Sequence, residues 1–200
     1  MVPKAISSAD TRDRILTASN ELFRRQGYNG TSLKQIVEAS DATTGSVYHF
    51  FPGGKEELTA EVLRSSGKAY ADLVEMVVRA AIDPAVGMTE AFDNAAALIN
   101  ATDYIDPCPI GTIAREVAST NESLRVVAAE VMDSWVARLA SIYRDAGVAD
   151  DRAGELASVT VVLIEGGFVL ARTMRDVTPF LSAGETLTAL INDALPQAAS

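Results

Sequence analysis

The sequence predicts an all-α protein of about nine helices: an N-terminal three-helix domain over residues 1–54 carrying a helix-turn-helix, and a C-terminal helical domain over residues 55–200. Three observations lead there. Apolar residues recur at helical spacing along nearly the whole chain, with no stretch of strand-like alternation. The composition is rich in Ala, Leu, Val and Glu and holds only 7 prolines in 200 residues, which favours helix over sheet. Gly and Pro fall between the periodic segments, where helices stop.

The elements follow in order. Ile15, Ala18, Leu22 and Phe23 form one face of a first helix from about Asp10 to Gln26, with Gly27 as its stop. Thr31 and Ser32 precede Leu33, Ile36 and Val37, a short second helix with a capping residue in place. Ser40, Asp41 and Ala42 make a turn. Thr43 to Phe50 is a third short helix with Val47 and Phe50 inward, broken by Pro52-Gly53-Gly54. A long fourth helix runs from Lys55 to about Ala81. Asp83-Pro84 opens a fifth, with Met88, Phe92, Ala95 and Ile99 aligned. Asp106-Pro107-Cys108-Pro109 reads as a rigid loop before a sixth helix, about Ile110 to Ser119. Asn121 caps a seventh, which Gly147 ends. The eighth, Asp151 to Thr173, is apolar on most sides in its second half. The ninth follows Pro179 and ends at Pro196.

Composition and charge bound the function. The N-terminus carries no apolar segment of the secretory type, and the longest apolar stretch, Val159 to Ala171, includes Glu165 and is too short to span a bilayer. A soluble cytoplasmic protein with no membrane partner is expected. Cys108 is the single cysteine, which leaves no intrachain disulfide and no cysteine-based zinc site. The net charge of −10 argues against nucleic acid, but it is unevenly spread. Residues 1–64 hold eight basic and eight acidic residues, whereas residues 65–200 hold nine and nineteen. Local placement of positive groups matters more for phosphate contact than the sum.

The informative stretch is Thr31 to Leu58. Two short helices joined by a tight turn form a helix-turn-helix, whose second helix enters the DNA major groove. That helix needs small or hydrogen-bonding residues on its outer face, and Thr43, Thr44, Gly45, Ser46, Tyr48 and His49 supply them. Gly45 lets the backbone approach closely. Tyr48 and His49 can donate to phosphate oxygens, which fix register without reading sequence. Thr31 and Ser32 stand at one helix start and Lys55 at another, where free amides suit a phosphate. The same spacing also fits a capped helical hairpin with no partner.

These residues resemble the TetR family of bacterial regulators from about Thr11 to Leu63. Leu22-Phe23 through Gly27-Tyr28 is similar to the family's first-helix ending, Thr31-Ser32 to its entry into the second helix, and Ile36 with Ala39 to that helix's core. Gly45 to Phe51 and Lys55 to Leu58 are similar to its third helix and the start of its fourth. The doubled glycine Gly53-Gly54 and Cys108-Pro109-Ile110-Gly111 resemble the multidrug and lincomycin-resistance repressor subgroup. Two departures stand out. Asp41 occupies a turn position where the family usually has Gly, and Thr44 one where it often has Lys or Arg.

The resemblance implies a ligand-responsive repressor that binds a palindromic operator in double-stranded DNA as a homodimer and is released by a small-molecule effector, with no cofactor. It places an effector pocket among the fourth to eighth helices, with Tyr70, Met76, Phe92, Tyr104, Cys108, Ile113, Trp135, Glu165 and Phe168 as candidates, though such a set is equally read as core. It places the dimer interface on the last two helices, where Gly166-Gly167 would allow close approach at a two-fold axis. Glu165, a carboxylate in an apolar run, must be paired, protonated or solvated. Against an enzyme, the lone histidine His49 lies in the reading helix, and there is no Gly-rich phosphate loop, metal cluster or catalytic triad. Carboxylate chemistry at Glu116 or Glu165 stays open, as does a helical partner-binding protein that has lost DNA binding.

Overall fold

A computed structural model describes residues 8–105 and 109–196. The described residues form helices α1 (Ser8–Gln26), α2 (Leu33–Ser40), α3 (Thr44–Phe50), α4 (Gly54–Ala80), α5 (Pro84–Ala101), α6 (Pro109–Val117), α7 (Glu122–Asp145), α8 (Asp150–Met174) and α9 (Thr178–Ala194), with no strand among them. By internal contacts the chain divides into two compact units. One comprises residues 1–67 and 108–129, the other residues 68–107 and 130–200. The division passes through α4 and α7, so each of these helices contributes to both units.

Local chemistry places the helix ends. α1 stops because Gly27 adopts φ 74°, a left-handed conformation that costs a glycine little. α2 begins with a full capping box. Ser32 Oγ accepts the Gln35 N–H at 3.3 Å, and Gln35 Oε1 accepts the Ser32 N–H at 2.8 Å. Asp41 closes α2 at φ 49° and ψ 42°, the left-handed geometry that the turn requires and that Asp tolerates better than most residues. Thr43 caps α3 by accepting the Ser46 N–H at 3.0 Å. Asp83 caps α5 ahead of Pro84, and Asn121 caps α7 by accepting the Leu124 N–H at 3.0 Å.

In the first unit, α1 packs on α2, α3 and α6. Its core is Ile15, Phe23, Ile36, Val47, Phe51, Leu58, Val62 and Leu63, joined by Ile110, Ile113 and Val117 of α6. Of the two residues expected inward on α3, Val47 is fully buried and Phe50 only half-buried.

In the second unit, α9 packs on α5 and α8. An aromatic stack anchors it: Phe92 and Phe180 lie 4.8 Å apart between ring centroids, and Phe180 and Phe168 5.1 Å. The two adjacent glycines of α8 have different jobs. Gly167 is buried, and a Cβ there would overlap the Phe180 ring, so it serves packing within the chain. Gly166 is exposed, with nothing within 4 Å of an added Cβ. It belongs to a stripe of exposed apolar residues, Val159, Val162, Val169, Leu170 and Met174. By length and composition α8 could cross a membrane. Its other face, including Leu156, Ile164 and Phe168, lies in the core of this unit.

Candidate DNA-reading surface

The candidate surface is built from two helix starts and one short helix, all within the first unit. On α3, Thr44, Gly45, Tyr48 and His49 are exposed, while Val47 anchors the helix from behind. Gly45 has no internal reason to be glycine: its φ is ordinary and an added Cβ would meet only Thr43 Oγ1 at 3.7 Å. The bare backbone therefore faces outward by choice of residue and not by packing. Thr43 and Ser46 share a hydroxyl contact of 2.9 Å across the first turn of α3, which fixes both rotamers.

Tyr48 is 49% exposed. Its edge rests over Gly54 at the start of α4, with Cε1 3.3 Å from where a Cβ would stand. The next residue, Lys55, carries its ammonium 4.0 Å above the Tyr28 ring, a cation–π contact that holds a half-buried cation in one place. Burial pushes the Lys55 pKa below the usual lysine value, and the charge of Glu116 opposes that fall. Tyr28 is pushed upward, by burial first and by Glu56 second. His49 stands exposed at the end of α3, edge-on to Phe50 at 4.9 Å.

The sequence-derived candidates thus fall into two groups. Ser32, Thr43, Thr44, Gly45, Ser46, Tyr48, His49 and Lys55 all have atoms at or near the surface around α3 and the starts of α2 and α4. Thr31 differs. It is buried, its hydroxyl donates to the Gly27 carbonyl at 2.7 Å, and its N–H donates to the Tyr28 carbonyl. Its side chain fastens the α1–α2 turn. Lys34, in the first turn of α2 beside Ser32, is exposed and was not singled out from the sequence. Its ammonium is only loosely paired with Glu38 at 3.8 Å. A lysine two positions after a cap was the available signal.

The pocket candidates scatter. Tyr70 and Trp135 come together, ring centroids 5.5 Å apart, lining a cavity with Val74, Leu139, Val161 and Ile164. The cavity is small, about 30 Å³. Glu75 and Arg138 also line it, and Arg138 binds Glu75 at 2.6 Å and Asp72 at 2.7 Å. Hydrogen bonds from Lys68 and Arg138 hold Asp72 below the usual carboxylate range, and those from Arg79 and Arg138 do the same for Glu75. A larger groove of about 220 Å³ lies between α4 and α5, lined by Tyr70, Leu73, Val77, Ala91 and Leu98. Phe92 and Phe168 are buried in the aromatic stack, Ile113 lies in the core of the first unit, and Met76 is exposed. Tyr104 and Glu165 are half-buried and do not line the cavity. Cys108 lies outside the described residues. No cluster of three or more His, Cys, Asp or Glu that could hold a metal occurs among the described residues.

Comparison with known proteins identifies the family. Residues 15–62 match the family described as bacterial regulatory proteins, tetR family, and residues 84–186 match the C-terminal domain of the LmrA/YxaF-like transcriptional regulators. The chain is 37% identical to the HTH-type transcriptional regulator YxaF of Bacillus subtilis, over 92% of its own length and 97% of YxaF. It is 33% identical to LmrA of the same organism, over 93% and 99% of the two chains. Among solved structures, a TetR regulatory protein from Rhodobacter sphaeroides superposes with a TM-score of 0.81 at 20% identity, over 90% of this chain and 98% of that one. A cysteine mutant of the regulator CifR, solved with a 26 bp double-stranded operator DNA, does so at 0.77 and 22% identity, over 94% and 98%.

Proposed function

The chain belongs to the TetR family of bacterial transcriptional regulators, in its LmrA/YxaF-like branch, and on that premise we propose that it is a dimeric repressor released from its operator by a small molecule. The observation that carries the DNA-reading part is the outer face of α3. Thr44, Gly45, Tyr48 and His49 are all exposed there, and Gly45 has no packing reason to lack a side chain. Thr44, Ser46 and the Gly45 backbone approach base edges in the major groove. Ser32, Lys34, Tyr48, His49 and Lys55 hold phosphates on either side, and Thr31 and Thr43 set the helix starts from which those groups project. The functional division we propose is residues 1–54 for DNA and residues 55–200 for ligand and dimer, with α6 packing on α1 although it lies beyond residue 54.

Dimerisation is supported by the exposed stripe on α8. Val162 is 69% exposed, and a ridge of Val, Leu and Met around an unencumbered Gly166 suits a second copy related by a two-fold axis. Two reading heads then meet two half-sites of a palindrome. The effector site we assign to the cavity floored by Tyr70 and Trp135. A ligand there shifts the protein only if it favours the state that binds DNA poorly. The protein acts in the cytoplasm, where its operator lies, and performs no catalysis.

Fluorescence anisotropy with labelled DNA from the protein's own promoter region tests this reading. Tight, salt-sensitive binding that Tyr48→Ala removes supports it. Absence of binding at low salt with every nearby promoter contradicts it and favours a partner-binding role for the same fold.

A further inference from the structure

One carboxylate of α6 reaches the turn between α1 and α2. Glu116 Oε2 accepts the Asn29 N–H at 2.7 Å across the α1–α2 turn. Its other oxygen fills the space above Gly27, where any Cβ would overlap the carboxylate. Gly27 is also left-handed at φ 74°, so the turn is shaped to admit this side chain and then tied to it. Tyr28, between those two residues, is the ring over which the Lys55 ammonium sits, and the Glu116 charge acts on that ammonium. A second polar link secures the same corner: Asn121 Nδ2 donates to Glu56 Oε2 at 2.9 Å, in the first turn of α4 next to Lys55. Glu116 thus has no need of a catalytic role to account for its placement.

We propose that Glu116 is a positioning residue that acts on DNA binding through Lys55: its hydrogen bond sets the α1–α2 turn beside the lysine, and its negative charge offsets the ammonium. α6 thereby adjusts a phosphate contact without touching DNA. The proposal rests on the reading of Lys55 as a phosphate donor, and the experiment separates the two.

Operator binding is measured across a salt series for the wild-type protein, Glu116→Gln and Glu116→Ala, with circular dichroism to confirm folding. Glu116→Gln keeps the shape and an oxygen for the Asn29 N–H but removes the charge. It is expected to bind about threefold more tightly at low salt and to steepen the log–log salt slope by up to about 0.9, the value of one further neutralised phosphate. Glu116→Ala also loses the hold on the turn and is expected to bind about fivefold more weakly than the Gln variant, the loss of one neutral hydrogen bond of about 1 kcal/mol. A slope and affinity unchanged in Glu116→Gln overturn the proposal. The Lys55 pKa, followed by NMR without DNA, supplies the independent readout. It falls in Glu116→Gln if the two groups are coupled, and an unchanged value overturns the proposal whether or not the wild-type protein binds its operator. Failure of the wild-type protein itself to bind overturns only the DNA reading.

Discussion

Replacing each glycine of the α8 pair separately distinguishes packing inside the chain from packing between copies. At Gly167 an added methyl overlaps the Phe180 ring, lying 2.9 Å from Cε2 and closer still to Cδ2. That ring is wedged between Phe92 and Phe168, at 4.8 and 5.1 Å between centroids, and has no room to swing away. Overpacking of this kind costs about 3 kcal/mol at the upper end of its usual range. Alanine recovers about 1 kcal/mol through helix propensity. Gly167→Ala is therefore expected to lose about 2 kcal/mol, roughly 4–8 °C in Tm for a chain of this size. At Gly166 nothing lies within 4 Å of the new methyl in the single chain. The propensity gain of about 1 kcal/mol stands alone there, while in the proposed dimer the methyl would intrude on the partner copy. Chemical denaturation at several protein concentrations reads both effects, since a dimer's midpoint rises with concentration. Gly166→Ala should weaken that concentration dependence, with sedimentation showing a higher monomer fraction. A Gly167→Ala variant as stable as wild type would refute the α8–α9 packing. A Gly166→Ala variant that dimerises as wild type does would refute the assignment of the α8 stripe.

Two further outcomes follow from buried groups. The Tyr143 hydroxyl is buried on Thr160 at 2.8 Å, and burial pushes its pKa up to about 12. The folded state thus favours the neutral phenol more than the unfolded state does. The corresponding stability is fully present below about pH 10 and is lost as pH rises toward 12, by about 2–3 kcal/mol. Denaturation midpoints between pH 9 and 12 should show that loss in the wild-type protein and a flatter curve in Tyr143→Phe; parallel curves would refute the assignment. Trp135 is the only tryptophan and lines the Tyr70 cavity. An effector that releases DNA should therefore change the intrinsic emission of the protein. An effector that releases DNA with the emission unaltered lies elsewhere.

Local features were legible in the sequence because their causes are local. Ser32 and Asn121 were expected at capped helix starts and both cap; Thr43, read as the first residue of α3, is its cap, and Asp83, read as opening the fifth helix, caps α5. Asp41 was expected in a positive-φ turn position and adopts φ 49°. The motif from Gly45 to Lys55 pointed to a short helix with Thr44, Gly45, Tyr48 and His49 outward, and these residues of α3 are exposed. What depends on contacts distant in the chain was not legible. Glu116 lies 87 residues from the Asn29 amide it accepts, so nothing in its neighbourhood marked it as a clamp. Periodicity alone could not separate Phe92 and Phe168, which are core, from Tyr70 and Trp135, which line a cavity, because all four are apolar residues on inward faces. Gly166 and Gly167 look alike as letters, yet a 100° step around the helix puts one on solvent and the other on Phe180. Thr31 was read with Ser32 as a phosphate-facing helix start, but only Ser32 caps, while Thr31 turns inward to Gly27.

Whether the α3 face reads operator DNA is tested directly by anisotropy titration of promoter DNA with wild-type protein, Thr44→Ala and Tyr48→Ala across a salt series. Tyr48→Ala should weaken binding about 10- to 100-fold on every sequence bound, as the loss of a hydrogen bond to a charged phosphate implies. Thr44→Ala should instead change the preference between operator and scrambled DNA. Variants that bind as the wild-type protein does, in affinity and in preference, would move the DNA contact off α3.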